Sequence, residues 1–253
     1  MDIDFISVLT PFHDRLGPMG AVFVASFLQS ITGFGLMLTA SPLMMIFYDA
    51  KLTVQILIYI GFFSNFIQSI MLWRTAKYDL IFFLTLGAVC GQPFGFILFN
   101  YVTANHLKII ISVILLCFLV VNHFSHLNFS QRPRNAFITG LFSGIMATSV
   151  SMAGPALIIY FANAQLSRVE LRSTCVLYFF LAQSCSMAIF CFSGGTNMMA
   201  AGKEFSYMLP GLFAGLFLGQ IAFKYTSVKF FRFLLSAMLY FICFQSLYTA
   251  LIK

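Results

Sequence analysis

The chain has 253 residues, of which 60% are hydrophobic and 8% are charged, and its mean hydropathy is +0.95. This composition excludes an ordinary soluble domain. Apolar segments of about 20 residues, the length that crosses a ~30 Å hydrocarbon core as a helix, follow one another along the chain. We therefore predict an all-α, polytopic membrane protein. The formal net charge of +7 indicates basic loops against anionic lipid, an anionic solute, or both.

The first apolar segment is too long and too irregular for a single helix. It runs without a charge between Arg15 and Asp49, and glycine, hydroxyl and amide side chains crowd its middle. Glycine and proline weaken a helix, and polar side chains can satisfy the backbone groups that a break releases. We predict two half-helices, about 18–31 and 36–48, that meet at an irregular Thr32–Gly35 turn.

The remaining apolar segments are typical of membrane spans, with one further broken segment among them. In the first half the predicted spans are Leu52–Trp73, Leu80–Phe99 and Leu107–Val121. In the second half the long segment Ala136–Phe161 is broken near residues 148–151. Three spans follow it, namely Thr174–Phe192, Tyr207–Phe223 and Phe230–Leu251. We also expect Gln92 and Pro93 to interrupt their helix, because proline removes a backbone donor.

The two halves of the chain resemble each other in sequence. A Gly-x3-Gly-x3-Gly series begins at Gly87 and again at Gly211, and Pro42-Leu-Met-Met-Ile-Phe matches Pro155-Ala-Leu-Ile-Ile-Tyr. We predict two homologous four-segment repeats, each starting with a broken or hairpin helix. Glycines at this spacing form a smooth packing face, within one chain or between two copies, which leaves a homodimer open. The predicted division is a tail (1–15), repeat 1 (16–121), a linker loop (122–134) and repeat 2 (135–253).

Topology decides whether the two repeats are parallel or inverted. If each broken segment crosses the membrane once, the 14 lysines and arginines divide evenly between the two faces. If each enters and returns as a hairpin, nine of them share one face, which is the asymmetry expected from the positive-inside rule. These nine are Arg74, Lys77, Arg132, Arg134, Arg168, Arg172, Lys224, Lys229 and Arg232. We therefore predict hairpins and inverted repeats, related by a two-fold axis in the membrane plane as in many secondary transporters.

The sequence offers little for enzyme chemistry. No aspartate or glutamate lies within a predicted span, and the motifs of zinc proteases, nucleotide-binding loops and serine hydrolases are missing. The histidines lie in tails or loops, and the six cysteines are spread over apolar segments, where small buried hydrophobes are common. We therefore expect no catalytic residues, no metal site and no cofactor.

Uncharged polarity gathers instead at the two helix breaks. At a broken helix, the N-termini of the half-helices present free N–H groups and a partial positive charge, which suit an anion. Glycine lets the backbone approach a ligand, and hydroxyls add donors. The residues that we predict to bind substrate are those of the two breaks, four wall amides and one arginine at the mouth of its span: Thr32, Gly33, Phe34, Gly35, Thr148, Ser149, Ser151, Gly154, Gln29, Asn65, Gln92, Gln183 and Arg172.

These motifs together resemble the TauE/SafE family of sulfite-exporter and toluene-sulfonate-uptake-permease type carriers. The resemblance rests on GFGLMLTASPLMMIF, its echo GLFSGIMATSVSMAGPALIIYF, the Arg172-Ser-Thr that follows and the triple-glycine helices, and it covers nearly the whole chain. Ser149-Val150-Ser151 stands where relatives typically have more glycine. The family implies transport of small sulfur-containing anions such as sulfite and organosulfonates. Phe34 and the aromatic surroundings favour uptake of an organosulfonate such as 4-toluenesulfonate.

The resulting hypothesis is a secondary transporter of the inner (plasma) membrane that binds a small organic or inorganic sulfur-containing anion and moves it by alternating access. Its partners are that anion and the lipid bilayer, and no nucleic acid is expected. One alternative is an exporter of sulfite or another small anion, and another is a channel. An alternative from a different class, an integral membrane redox enzyme, predicts cysteines and histidines clustered at one depth.

Overall fold

The structure is a computed structural model that describes residues 15–107, 109, 110, 113, 132–161, 166–193 and 197–225. Within these residues the chain forms α-helices and a 3₁₀ turn at Trp73–Thr75, and no strand. The predicted span Phe230–Leu251 and nearly all of Leu107–Val121 lie outside the described residues. The helices are α1 (Leu16–Thr32), α2 (Leu36–Met44), α3 (Ala50–Leu72), α4 (Tyr78–Tyr101), α5 (Pro133–Val150), α6 (Gly154–Phe161), α7 (Arg168–Phe192) and α8 (Met198–Phe223).

Several helices begin earlier than the apolar runs from which they are predicted. The Asp49 side chain accepts a hydrogen bond from the Lys51 N–H and so caps α3. Ser167 and Glu170 form a capping box at the start of α7, which satisfies two of the free N–H groups of its first turn. Polar residues thus extend these helices beyond the hydrocarbon region. With the 3₁₀ turn added to α3, the helices α3, α4, α7 and α8 are long and apolar enough to cross a membrane.

Helices α1 and α2 form a hairpin whose two ends lie together. A Cβ added at Gly17, near the start of α1, would lie 2.6 Å from the ring of Phe47, which follows α2. Arg15 and Tyr48, which flank the pair, both hydrogen-bond to the carboxylate of Glu204 on α8. The first broken segment therefore enters and returns on one side.

The two triple-glycine helices each pack against the broken helix of the other half. A Cβ on any of these glycines would meet a backbone carbonyl of the partner helix, so the helices touch along their main chains. The contacts of α4 with α5 are Gly87 to Phe137, Gly91 to Leu141 and Gly95 to Ile145; those of α8 with α1 are Gly211 to Met19, Gly215 to Phe23 and Gly219 to Phe27. In both pairs the residue numbers of the contacting positions increase together, so the paired helices run parallel. The glycine faces are used within the chain.

Helices α3 and α7 cross at the centre of the molecule. A Cβ at Gly61 on α3 would lie 2.5 Å from the Gln183 Nε2 atom on α7. The rings of Phe62 and Phe180 meet beside this point, with centroids 5.7 Å apart. Phe62 and Phe180 each follow the N-cap residue of their helix, Asp49 or Ser167, by 13 residues, so these two rings meet at corresponding positions.

The helix ends fall on two faces of the molecule. One, here named the Arg15 face, carries the ion pair of Arg15 with Glu204. On this face the start of α3 contacts the end of α4, because the Lys51 Nζ donates to the Asn100 carbonyl at 3.4 Å. The other, here named the basic face, joins the starts of α4 and α7 through a Lys77–Glu170 ion pair at 2.8 Å. The described positive side chains of the basic face are Arg74, Lys77, Arg132, Arg134, Arg168, Arg172 and Lys224.

The prediction that Gln92 and Pro93 interrupt a helix is wrong. Helix α4 continues through Pro93 to Tyr101. The Gln92 carbonyl accepts a hydrogen bond from Thr148 Oγ1 at 2.7 Å, and the Gln92 side chain donates to the Ala182 carbonyl at 2.8 Å. Neighbouring helices thus satisfy polar groups beside the proline, which is how membrane helices tolerate it.

Candidate functional site

The first helix break is a tight turn made by two glycines. Gly33 and Gly35 have φ angles of 81° and 94°, in the left-handed region that glycine adopts without the steric cost of a Cβ. The Gly33 N–H bonds back to the Gln29 carbonyl and closes α1. The Thr32 hydroxyl bridges to the backbone of Phe34. The sequence prediction of an irregular Thr32–Gly35 turn is confirmed.

The second break uses a serine where the first uses glycine. Ser151 has a φ of 57°, a left-handed conformation that is uncommon for a residue with a Cβ. Helix α5 ends at Val150 and α6 begins at Gly154, so residues 151–153 form the break. This agrees with the break predicted near residues 148–151, displaced by a few residues.

A small cavity of about 20 Å³, open at its mouth, lies between the two breaks. It is lined by the turn of the first break and the first turn of α2, by the second break, and by side chains of α1, α3 and α7. The polar lining consists of Gln29, Asn65, Ser151 and Gln183; the rest is Phe34, Gly35, Leu36, Met37, Leu38, Ala153, Gly154, Phe179 and Ala182. No charged side chain lines the cavity among the described residues.

A chain of buried amides joins α1 to α3 at the cavity wall. The Gln29 side chain donates to Asn65 Oδ1 at 2.7 Å and accepts from the Ser64 hydroxyl at 2.5 Å. Asn65 in turn donates to the Gly61 carbonyl at 2.7 Å. Because each amide is held by two bonds, the network orients the Gln29 and Asn65 side chains at the wall and makes their rearrangement costly.

Two polar groups in the cavity have little to bind within the protein. The Gln183 Oε1 atom is buried and has no hydrogen-bond partner. The Ser151 hydroxyl has only a 3.8 Å contact with the sulfur of Met37. Buried polar groups are nearly always hydrogen-bonded, so both have capacity for a bound ligand. The Ser151 hydroxyl can donate a hydrogen bond to it, whereas Gln183 Oε1 can only accept one.

Helix α2 directs its N-terminus at the cavity. Gly35, its N-cap residue, and its first turn of Leu36, Met37 and Leu38 all line the space. The first N–H groups of a helix have no acceptor within the helix and carry about half a positive charge together. Gly154, the first residue of α6, lies on the opposite wall. Two helix starts therefore meet at one uncharged cavity.

Several residues predicted to bind substrate lie away from the cavity lining. The Ser149 hydroxyl donates to the Ile145 carbonyl of its own helix at 2.7 Å, a common use of serine within a helix. The Thr148 hydroxyl donates to the Gln92 carbonyl and so joins α5 to α4. The Thr32 hydroxyl stays within its turn. Gly33 packs against Arg172, outside the lining, with its Cβ position 2.8 Å from the Arg172 Cα.

The apolar part of the lining was not anticipated, apart from Phe34. Phe179, Ala182 and Gln183 of α7 line the cavity together, and their spacing of three and four residues places them on one helix face. That periodicity, counted from the predicted Gln183, is the signal that indicates Phe179 and Ala182. No comparable signal marks Met37, whose side chain reaches Ser151 and Gly61 across the break, because such contacts depend on the tertiary fold.

The redox alternative predicted clustered cysteines and histidines. The described cysteines are free thiols, and the described residues contain no group of three or more His, Cys, Asp or Glu side chains that could hold a metal.

Apolar helices that cross a membrane, two broken helices and an uncharged polar cavity between them define a multi-pass membrane transport protein. The family model described as "Sulfite exporter TauE/SafE" matches residues 19–246. The chain belongs to this family, whose members are membrane transporters of small sulfur anions. No curated protein and no solved structure is similar enough to the chain to count as a match.

Proposed function

We propose that this protein is a secondary transporter that binds a small sulfur oxyanion, with sulfite as the first candidate, in the cavity between the two helix breaks. The observation that carries the proposal is the convergence of two helix starts with the Ser151 hydroxyl, a donor whose contact within the described residues is the Met37 sulfur at 3.8 Å. Helix N-termini and neutral donors hold an oxyanion without a fixed positive charge. An anion bound this way can also leave, as a carrier requires.

A larger organosulfonate is the second candidate substrate. Phe34 and Phe179 line the cavity beside the polar groups, so a sulfonate head could bind the donors while an aryl or alkyl body contacts the rings. Uptake of such a molecule would use the same donors as sulfite. The two candidates differ in whether the apolar wall contributes to affinity.

Inverted repeats would provide the movement. The reciprocal packing of α4 on α5 and of α8 on α1, together with the crossing of α3 and α7 through corresponding positions, supports two related halves with a two-fold axis between them. Alternating access in such folds is a rocking of one repeat against the other around a central site. The excess of arginine and lysine on the basic face supports its orientation toward the cytoplasm across the plasma membrane.

A thermal-shift titration of the purified protein tests the binding site. A ligand that binds only the native state raises the melting temperature as its concentration passes Kd. We expect sulfite to stabilise the protein, and Ser151→Gly to weaken binding on the order of tenfold, because a hydrogen bond to a charged ligand contributes about 1.5–3 kcal/mol. Glycine suits the φ of 57° at this position, so the variant removes the hydroxyl without adding strain.

Ser149→Ala is the matched control, because the Ser149 hydroxyl is bonded within its own helix. It should bind sulfite as the unmodified protein does. Stabilisation by 4-toluenesulfonate at lower concentrations than sulfite would favour the organosulfonate. Unchanged binding in Ser151→Gly would contradict the location of the site, and no response to either anion would contradict the proposed function.

A further inference from the structure

Arg172 is a buried cation that the central cavity does not use. It lies in the second turn of α7 near the basic face and is 2% exposed. Its Nη2 donates to the Gln220 side chain, and its Cζ lies 4.3 Å from the ring centroid of Phe223. Its Nε is buried and has no hydrogen-bond partner. The guanidinium is therefore held by one neutral amide and one ring.

Among the residues that the structure describes, no carboxylate pairs with Arg172. Among the described residues, Glu170 pairs with Lys77 and Glu204 pairs with Arg15. Asp49 caps α3 at the Arg15 face, and Asp79 lies in the first turn of α4, where it does not bond to Arg172. The other acidic side chains of the chain, Asp2, Asp4 and Asp14, precede Arg15 and lie outside the described residues.

The contacts around Arg172 compensate its charge only in part. A buried ion is costly unless it is paired and fully hydrogen-bonded. A ring beneath the guanidinium and a neutral acceptor offset a fraction of that cost. The nearby C-terminus of α1, at the Gly33 turn, offers about half a negative charge. The buried Nε–H still has no acceptor, and Nε with Nη2 forms the fork that matches two oxygens of one oxyanion.

We propose that Arg172, with the Gln220 amide beside it, forms a second anion site at the basic face, which the transported oxyanion occupies before or after the central cavity. The identity of the anion rests on the proposed function, while the site itself rests on the unneutralised charge. The anion would accept from Nε and Nη2, and the Gln220 amide, released from Nη2, would turn to donate its N–H.

The Gly33–Gly35 turn separates this site from the cavity. Gly33 contacts Arg172 on one side, whereas Phe34 and Gly35 line the cavity on the other. Along α7, Phe179 follows Arg172 by seven residues, which is the same helix face about 10 Å further along the axis. The anion would thus pass along one face of α7, and the turn with Phe34 is the barrier between the two positions.

In the described part of the chain, the opposite end of the molecule has no counterpart of this site. The N-caps Asp49 and Ser167 align α3 with α7, and the position in α3 that corresponds to Arg172 is Val54, which is fully buried in an apolar cluster. A cation required simply by the fold of both halves would be expected twice. The single occurrence, on the face with most of the positive charge, is the pattern of a functional residue.

The variant Arg172→Gln tests the site, and Arg134→Gln, which removes an exposed charge from the same face, is its control. In detergent without anion, we expect Arg172→Gln to melt at or above the temperature of the unmodified protein, because it removes an unneutralised buried charge. In proteoliposomes, the sulfite concentration for half-maximal uptake should rise on the order of tenfold or more, since charge-assisted hydrogen bonds are lost. Arg134→Gln should change neither quantity.

Three outcomes would overturn the proposal. Arg172→Gln that melts several degrees lower and transports with unchanged sulfite dependence would make Arg172 structural. If Arg172→Gln is both unstable and inactive, Arg172→Lys decides, because lysine restores the charge but not the guanidinium fork. Recovered stability with weakened uptake supports the site, and recovered stability with unchanged sulfite dependence overturns it. The third outcome concerns lipid. If dioctanoyl phosphatidylglycerol stabilises the unmodified protein but not Arg172→Gln, and sulfite stabilises neither, the guanidinium binds a lipid headgroup.

The experiments distinguish failure of the second anion site from failure of the proposed function. Ser151→Gly changes the cavity, and Arg172→Gln changes the basic face. If Ser151→Gly loses sulfite binding while Arg172→Gln transports normally, only the site at Arg172 is contradicted. No uptake by the unmodified protein contradicts both.

Discussion

At the scale of single residues, the two helix breaks solve the same problem with different chemistry. Gly33 adopts a positive φ and has its Cβ position 2.8 Å from the Arg172 backbone, so it has neither the conformation nor the room for a side chain. Ser151 adopts a similar φ and keeps its hydroxyl in the cavity. The strain of a left-handed serine is tolerated at a position that lines the proposed binding cavity, and backbone strain often occurs at functional sites.

Substituting a glycine by alanine at each break compares a position that cannot accept a side chain with one that can. Gly33→Ala should lower the free energy of unfolding by roughly 2 kcal/mol or more, because a left-handed alanine costs about 1–2 kcal/mol and its Cβ would overlap Arg172. Gly154→Ala should be nearly neutral, since its Cβ would meet Leu38 at an ordinary 3.7 Å. Melting temperatures of both variants in detergent measure the difference, and equal effects would contradict the described turn.

A residue at the Arg15 face shows how charge is accommodated where partners exist. Arg15 makes two 2.8 Å bonds to the Glu204 carboxylate, and the hydrogen bond with Glu204, ahead of the attraction of its charge, raises the pKa of Arg15. Burial, followed by its hydrogen bond to Glu204, raises the pKa of Tyr48, so its hydroxyl remains a donor. Arg172 has no carboxylate partner among the described residues, and the contrast within one molecule supports the second anion site.

At the scale of elements, backbone contact between helices holds the two halves together. Lipid does not drive apolar helices together as water does, so association depends on close packing of small residues. In α4 and α8 the glycine series meets carbonyls of α5 and α1 directly. These parallel pairs are the rigid units against which the shorter helices α2 and α6 return.

Substitution within the glycine series measures that packing. Gly91→Ala should lower the melting temperature clearly, because its Cβ would collide with the Leu141 carbonyl, a backbone atom that cannot turn aside. Gly20→Ala is the matched control, since nothing lies within 4 Å of its Cβ position and alanine favours a helix over glycine by about 1 kcal/mol. It should be neutral or stabilising. A tolerated Gly91→Ala would show that α4 and α5 are further apart than described.

At the scale of the whole molecule, the hairpin topology decides which residues share a face. Because α1 enters and α2 returns, α3 starts on the same face as α1. The charges then separate: Arg15, Lys51 and Lys203 belong to the Arg15 face, and the larger group belongs to the basic face. This separation makes the orientation in a membrane a measurable property.

Cysteine labelling in intact cells checks the two faces. In a variant without native cysteines, an impermeant thiol reagent should label Lys51→Cys and Lys203→Cys from outside. Arg74→Cys and Arg134→Cys should react only after the membrane is opened, because the positive-inside rule directs the basic face to the cytoplasm. Labelling of Lys51→Cys and Arg74→Cys from the same side would contradict the arrangement of α3, whose two ends these positions mark.

The sequence by itself determined the membrane-spanning class, the helix breaks and the family, because hydropathy and the conformational demands of glycine and proline are local properties. It also indicated part of the cavity wall: Gln29, Phe34, Gly35, Asn65, Ser151, Gly154 and Gln183. Only the tertiary structure decided that the Ser149 and Thr148 hydroxyls bond to helix carbonyls, that Pro93 leaves α4 continuous, and that Arg172 is buried with no carboxylate partner in the described part of the chain. Each of these depends on which distant helix supplies a partner, and one-dimensional patterns do not record that information.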